Sequence, residues 1–407
     1  MITRKRDLRT ERSVWEGRDA AKVRHGRLRK PVTTDVLVVG AGITGAMIAD
    51  ALAEAGLAVT IVDRRDDPVK GSTVASTALV QYEIDTPLSK LLRKIGNVDA
   101  MRAWRRSRLA VDAVAARLAD LQLPDVVRRD SLYLAGNELD AEGLAREQAA
   151  RRAIGLPDRL LSRKELKAQF GISRAAALLG YGNLVIDPRK AAHALLASAV
   201  RNGARIFAPV SIDDIESHPR SVTAHADTGH IIRCRHLVMA TGYEVPKSVP
   251  ARGHKIISTY AIATVTQPKR LWPEQCMIWE ASDPYLYLRT TPDGRIICGG
   301  EDEDFVDEEK RDKLLTRKTR TLQAKLGKLM PGISTRIDFA WAGSFGQTNT
   351  GLPIIGEVPN MPNCFAALGY GGNGITYSRI AADVITGAVT GHPDCDADLY
   401  GFKKKKR

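Results

Sequence analysis

Cysteine is sparse and unpaired in this chain. Cys234, Cys276, Cys298, Cys364 and Cys395 are scattered over 407 residues without a CxxC pair. An odd number at wide spacing indicates neither a disulfide framework nor a zinc site, so no metal is expected. Long apolar runs are missing as well. The most apolar stretch, Ile43 to Val62, is broken by Asp50 and Glu54, and the Arg-rich N-terminus has no apolar h-region. The reading is a soluble, cytoplasmic protein with no transmembrane segment. A basic face is also lacking, despite a net charge of +14. Residues 1–30 carry 11 Lys/Arg against 4 Asp/Glu, and Lys403 to Arg407 adds five positive charges, so the two tails hold +12 of the total. The near-neutral body is not that of a nucleic-acid-binding domain, and the tails read as solvated. With 44% hydrophobic and 27% charged residues, the length suits a globular protein of two domains.

What the chain does have is a nucleotide fingerprint in its proper setting. Asp35 to Val39 is a near-continuous apolar run, as in a central parallel strand covered on both faces. Gly40-Ala41-Gly42-Ile43-Thr44-Gly45 follows it. Ile43, Met47, Ile48, Ala51, Leu52 and Ala55 then recur at helical spacing, Gly56 ends the helix, and Ala58 to Val62 reads as a second strand. Asp63 lies 23 residues after Gly40, near the distance at which an acid reaches a ribose hydroxyl. In such a βαβ unit Gly40 permits the tight turn, Gly42 admits a pyrophosphate, and Gly45 lets helix and strand approach. The helix N-terminus offers free N–H groups to phosphates. The motif alone leaves open whether the dinucleotide is a nicotinamide or a flavin.

Gly71 to Thr77 is a small, hydroxyl-rich stretch that could turn hydroxyls and amides toward a cofactor phosphate. Helices are expected over Leu88 to Ile95, Ala100 to Leu121, Ala141 to Ala153 and, capped by Asp187-Pro188, Arg189 to Asn202. Strands are expected at Arg205 to Pro209, Val222 to Cys234 and His236 to Met239, the last ending in Ala240-Thr241-Gly242. A second sheet is expected from Lys255 to Val265, Cys276 to Trp279, Tyr285 to Arg289 and Arg295 to Cys298, with a hairpin turn at Pro292-Asp293-Gly294. Helix Lys310 to Leu329, strand Thr335 to Trp341 and a closing helix near Tyr377 to Thr390 complete the order.

Taken together, Val38 to Gly45, Ala240-Thr241-Gly242, Tyr287-Leu288-Arg289 with Asp293-Gly294-Arg295, Gly299-Gly300, Gly351-Leu352-Pro353 with Gly356, and Gly369 to Thr376 resemble the D-amino-acid oxidase superfamily of FAD-dependent oxidoreductases. The resemblance runs from about residue 14 to 400 and is nearest to the branch of gamma-glutamylputrescine oxidase, whose short arm Val14-Trp15-Glu16 resembles. It implies an α/β fold: a Rossmann-type FAD-binding domain (βαβ, parallel sheet) with a discontinuous α+β substrate domain built on a mixed sheet. The expected division is a basic N-terminal arm (1–30), an FAD-binding domain (31–95, 183–250 and 342–398), a substrate domain (96–182 and 251–341), and a basic C-terminal tail (399–407).

The candidate flavin residues are Gly40, Gly42, Ile43, Thr44, Gly45, Asp63, Arg64, Ser72, Thr73, Ser76, Thr77, Thr241 and Gly242, together with Gly371, Gly372, Asn373, Gly374, Ile375 and Thr376. The last group would bring amides and a helix N-terminus to the flavin's pyrimidine end, where reduction puts negative charge. Amino-acid-oxidising relatives carry an Arg shortly after Trp-Ala-Gly; here Trp341-Ala342-Gly343-Ser344 is followed by Phe345. The implied substrate is an amine, or an amino acid whose carboxylate is read elsewhere, for instance by Arg289. Flavinylated relatives carry a Cys in the hairpin that corresponds to Asp283 to Asp293, and this stretch has none, so non-covalent FAD is expected. The implied reaction is hydride transfer from the carbon bearing a neutral amine to flavin N5, with O2 or another electron acceptor reoxidising the flavin. Tyr260, Tyr287, Phe345 and Tyr370 are substrate-facing candidates. His254 and Lys255 could offer a cation for oxygen reduction. A nicotinamide-dependent dehydrogenase and a non-catalytic flavoprotein subunit stay open as alternatives.

Overall fold

The computed structural model describes residues 1–251 and 253–402; the basic run Lys403 to Arg407 lies outside them. The first half runs β1 (Arg9–Thr10), β2 (Val32–Val39), α1 (Ile43–Glu54), β3 (Val59–Val62), β4 (Leu79–Val80), α2 (Leu88–Ile95), α3 (Asn97–Asp120), β5 (Val127–Leu134), α4 (Ala141–Ala153), β6 (Arg159–Ser162), α5 (Arg163–Phe170), β7 (Ala176–Val185) and α6 (Pro188–Arg201). The second half runs β8 (Arg205–Phe207), β9 (Ile212–His218), β10 (Ser221–Ala226), β11 (Ile231–Met239), β12 (His254–Thr264), β13 (Met277–Glu280), β14 (Leu286–Thr290), β15 (Ile296–Glu303), α7 (Glu308–Leu329), β16 (Ile337–Thr348), β17 (Ile354–Glu357), β18 (Cys364–Leu368), α8 (Gly374–Thr390) and α9 (Ala397–Tyr400).

Two sheets organise the chain. The first has the order β17-β18-β11-β2-β3-β8, with β9 and β10 attached through β11. Its centre is parallel: β2 pairs with β3 on one side and with β11 on the other, and β11 pairs with β18. This is why Val36 to Val38 are fully buried and the strand carries almost no polarity. Helix α1 packs against both α6 and α8, joining the start of the chain to its end. The second sheet runs β1-β16-β12-β15-β14-β13-β5-β7-β4 and is antiparallel except at β13 and β5. Helix α7 covers one of its faces, with Leu322 and Leu326 buried against Ile262 and Cys298. Residues 342–348, 79–80 and 183–185 belong to this sheet through β16, β4 and β7.

Three expectations are corrected. Val222 to Cys234 is a hairpin of β10 and β11 turning over residues 227–230, and Cys234 and His236 share one strand. Alternation on both sides of a short polar turn resembles one long half-buried strand. The expected strand Thr335 to Trp341 starts at Ile337 and continues to Thr348, because β12 pairs with it down to Gln347 and Thr348. The N-terminal arm is no solvated tail. β1 pairs with Gly343 and Ala342 of β16, and Trp15 is fully buried, its indole donating to Ser76 O at 2.6 Å. Arginines of the arm find acids within the fold: Arg9 pairs with Glu16 at 2.8 Å, and Arg18 with Asp293. Charge counting alone could not show that these cations are spent on internal pairs. Among the described residues no helix is long and apolar enough to cross a membrane.

Trp15→Ala is expected to cost about 3 to 5 kcal/mol, the usual loss for a buried large aromatic. A urea midpoint unchanged from wild type would show that the arm is dispensable to the fold.

Candidate flavin and substrate site

A cavity of about 460 Å³ is lined by residues from both sheets. At one end lie Gly40, Gly42, Ile43 and Thr44, in the turn between β2 and α1, with Asp63 and Arg64. Gly40 has φ +110°, and a Cβ there would stand 2.4 Å from Ala240 O. Gly45 does not line the cavity; its Cβ would meet Gly40 O at 1.8 Å, so it is the contact between helix and turn. Gly42 is the N-cap of α1 and caps it with no side chain, so the positive end of the helix faces the cavity without an internal anion. Asp63 accepts hydrogen bonds from Ala41 N at 2.8 Å and Arg65 N at 2.9 Å. Burial raises its pKa, against the lowering effect of those two amides. Arg64 and Arg65 both pair with Glu244; burial lowers the Arg64 pKa, and the Glu244 charge opposes this.

The wall continues through Ser72, Thr73, Ser76, Thr77, Thr241 and Gly242. The stretch from Ser72 to Ala75 is a 3-10 turn, from which the Thr73 hydroxyl accepts from Ile43 N at 2.9 Å. Tyr370, Gly371, Gly372 and Asn373, just ahead of α8, and Gly374 and Ile375 of its first turn also line the cavity. Thr376 lies behind it and donates to Gln81 O at 2.8 Å, while Asn373 Nδ2 donates to Glu83 O at 2.6 Å. These two bonds fasten the loop to the strip that follows β4.

Of the substrate-facing candidates, Tyr287, Phe345 and Tyr370 line the cavity. Tyr260 does not. It sits on the other side of β12 in the core beneath α7, its hydroxyl 3.3 Å from Arg311 O. Arg289 is also absent from the wall. It is buried two residues beyond Tyr287, where Trp15 and the segment after Ala75 close over it. Its guanidinium donates to Thr77 O (3.3 Å), Ala78 O (2.8 Å) and Ile186 O (2.8 Å). Burial pulls its pKa down to about 9. Neither His254 nor Lys255 reaches the wall: Lys255 pairs with exposed Asp304, and burial depresses His254 to about 4, so its ring is neutral at pH 7.

The expected set lacks Gln81, Glu83, Asp85, Tyr133, Trp279 and Tyr285, all of which line the cavity. A signal for the first three is present in the chain: in Gln81-Tyr82-Glu83-Ile84-Asp85 polar and apolar residues alternate at period two. Tyr133 stacks on Trp279 with ring centroids 3.7 Å apart, and Tyr285 on Tyr287 at 5.9 Å. Elsewhere, Asp394, Cys395 and Asp396 bring ligand-type atoms together, but the two carboxylates pair with Arg106 and Arg102.

The residues present fit a flavin dinucleotide: the cavity is lined by a side-chain-free glycine turn at one helix N-terminus and by a second glycine loop at another. Known proteins agree. The chain is 24% identical over 390 residues to the glycine oxidase of Bacillus licheniformis, covering 92% of this chain and 97% of that one. It is 24% identical to the gamma-glutamylputrescine oxidoreductase of Escherichia coli, over 89% of this chain and 85% of that one. It is 25% identical to the bifunctional protein MnmC of tRNA 5-methylaminomethyl-2-thiouridine biosynthesis from Cupriavidus necator, of which it spans 57%. Among solved structures, the glycine oxidase of Geobacillus kaustophilus superposes with a TM-score of 0.76 at 20% identity, over 92% of this chain and all of that one. The family described as FAD dependent oxidoreductase matches residues 35–388, which decides between flavin and nicotinamide. This chain is a member of that FAD-dependent oxidoreductase family.

Proposed function

We propose that this enzyme oxidises the C–N bond of an amine or amino acid, with FAD held non-covalently in the 460 Å³ cavity. The observation that carries the reading is that the Gly40–Gly42 turn, the Gly371–Ile375 loop and the aromatic wall around Tyr287 all open onto that one space. FAD bound there supplies a hydride acceptor, N5, for the carbon bearing a neutral amine, and the resulting imine hydrolyses to a carbonyl.

The chain's own contribution is placement and electrostatics. Gly42 and the first turn of α1 would receive the pyrophosphate, with Asp63 at the ribose and Arg64 beside it. The N-terminus of α8 and the loop amides other than that of Gly372, which donates to Asp85, would face the pyrimidine end, where fixed N–H groups stabilise developing negative charge without reorganising. Tyr285, Tyr287, Tyr133 and Trp279 would exclude water from the reacting carbon and hold the substrate in one orientation. Glycine oxidase and gamma-glutamylputrescine oxidoreductase, two of the relatives, are named for an amino acid and an amine. Both substrate classes therefore belong in the first test.

Purified protein is expected to show a flavin spectrum that bleaches on anaerobic addition of a mixed pool of amines and amino acids. A colourless protein that FAD cannot reconstitute would overturn the proposal. Acid precipitation is expected to release all the flavin into the supernatant, and yellow colour kept in the pellet would contradict non-covalent binding. Gly42→Val should leave the protein folded by circular dichroism yet lower its flavin content severalfold, since a side chain there points at Thr73 Oγ1, 3.2 Å from an ideal Cβ. Full flavin content in that variant would remove Gly42 from the pyrophosphate site.

A further inference from the structure

Asp85 ends the alternating strip after β4 and is exposed to the cavity that it lines. One carboxylate oxygen accepts from Gly372 N at 2.8 Å, and among the described residues the other has no hydrogen-bond partner. A Cβ on Gly371 would stand 2.3 Å from the bonded oxygen, so this carboxylate also explains why a glycine occupies that place. No described lysine, arginine or histidine forms an ion pair with Asp85. The other cations of the cavity wall pair with acids other than Asp85: Arg64 and Arg65 share Glu244, and Lys90 pairs with Glu138 at 2.5 Å. Two further polar atoms of the same strip, Gln81 Nε2 and Glu83 Oε2, also lack partners, in side chains only 9% and 3% exposed.

Aromatic rings stand around this charge. Burial chiefly holds the hydroxyls of Tyr133 and Tyr285 protonated; Glu147 and Glu138 add to this for Tyr133, Asp302, which accepts from Tyr285 at 2.6 Å, adds to it for Tyr285, and Asp85 is the smallest contributor to both. A carboxylate that opens onto a cavity without a counter-ion gives that space a negative potential, which a bound cation meets most directly. Aromatic faces attract cations, and their hydroxyls can take up a protonated amine's remaining donors. A substrate carboxylate beside Asp85 would set like charges side by side.

Resting on the oxidoreductase reading of this cavity, we infer that its substrate is an amine bearing a second, permanently protonated amino group, and that Asp85 is the counter-ion that selects it. The class is the diamines and their longer homologues, as opposed to α-amino acids. Asp85 binds and positions; the reacting amine must be the uncharged one.

The test uses the FAD-loaded full chain and three probes of matched length that differ in the charge of one end: 1,4-diaminobutane, n-butylamine and 4-aminobutyrate. Dissociation constants are read anaerobically from flavin absorbance changes and from thermal shifts. The diamine is expected to bind wild type about tenfold or more tighter than 4-aminobutyrate, with butylamine between them. Asp85→Asn, with flavin content as the check on folding, should bring the three within about twofold, and Asp85→Glu should keep the order. If the asparagine variant does not hold flavin, the wild-type order and its retention in Asp85→Glu decide. Equal binding of the three probes, no binding of the diamine, or a diamine preference that survives in Asp85→Asn overturns the inference. The oxidoreductase reading fails separately, if no amine or amino acid bleaches the flavin while the cation preference persists.

Discussion

The site depends on how one strip of backbone, Ala75 to Glu83, is held open to the cavity. Its carbonyls are taken by side chains from distant parts of the chain. Trp341 donates to Ala75 O (2.9 Å), Trp15 to Ser76 O, Arg289 to Thr77 O and Ala78 O, Thr376 to Gln81 O, Ser107 to Tyr82 O (2.8 Å) and Asn373 to Glu83 O. A strip that passes between two sheets cannot satisfy all its carbonyls within a ladder, and unmet ones in the interior would be costly. Ala78 has φ +56°, a strained conformation for a residue with a Cβ, which persists only because the surroundings fix it.

That constraint explains features that look unrelated. Trp15 belongs to an arm that reads as a charged tail, yet it lies 5.3 Å from the Arg289 guanidinium and shares with it the task of fixing residues 76–78. An arginine with four carbonyl partners and a pKa near 9 is a fastener of backbone, far from a receptor for a substrate carboxylate. Asn373 and Thr376 tie the loop and first turn of α8 to the same strip, so the late glycine-rich segment is set by it.

The buried ion network behind the aromatic wall serves the same end. Arg151 is fully buried between Glu147 (2.7 Å) and Asp158 (2.7 Å), with its guanidinium 4.7 Å from the Trp104 ring and 5.8 Å from that of Tyr133. Glu147 in turn accepts from Leu88 N and Ser89 N at the start of α2. Removing one member of such a network leaves a bare charge inside, so the wall that carries Tyr133 is rigid.

The amino-acid sequence by itself determined the nucleotide half of the site. Its signals are local: an apolar strand, glycines at fixed spacing, a helix and an acid within 24 residues, each required by the geometry of one turn. It also marked the late glycine loop, because backbone that approaches a ligand closely has little tolerance for side chains. What only the tertiary structure decided was direction and partnership. Tyr260 and Tyr287 both read as aromatic residues on strands of one sheet, and register and the cover of α7 put one in the core and the other in the cavity. Arg289 and Asp85 are single charges in the sequence; contacts with distant parts of the chain make the first a clamp and give the second an amide partner from Gly372 but no counter-ion among the described residues. Long-range pairing sets which polar groups are already satisfied, and no local pattern carries that information.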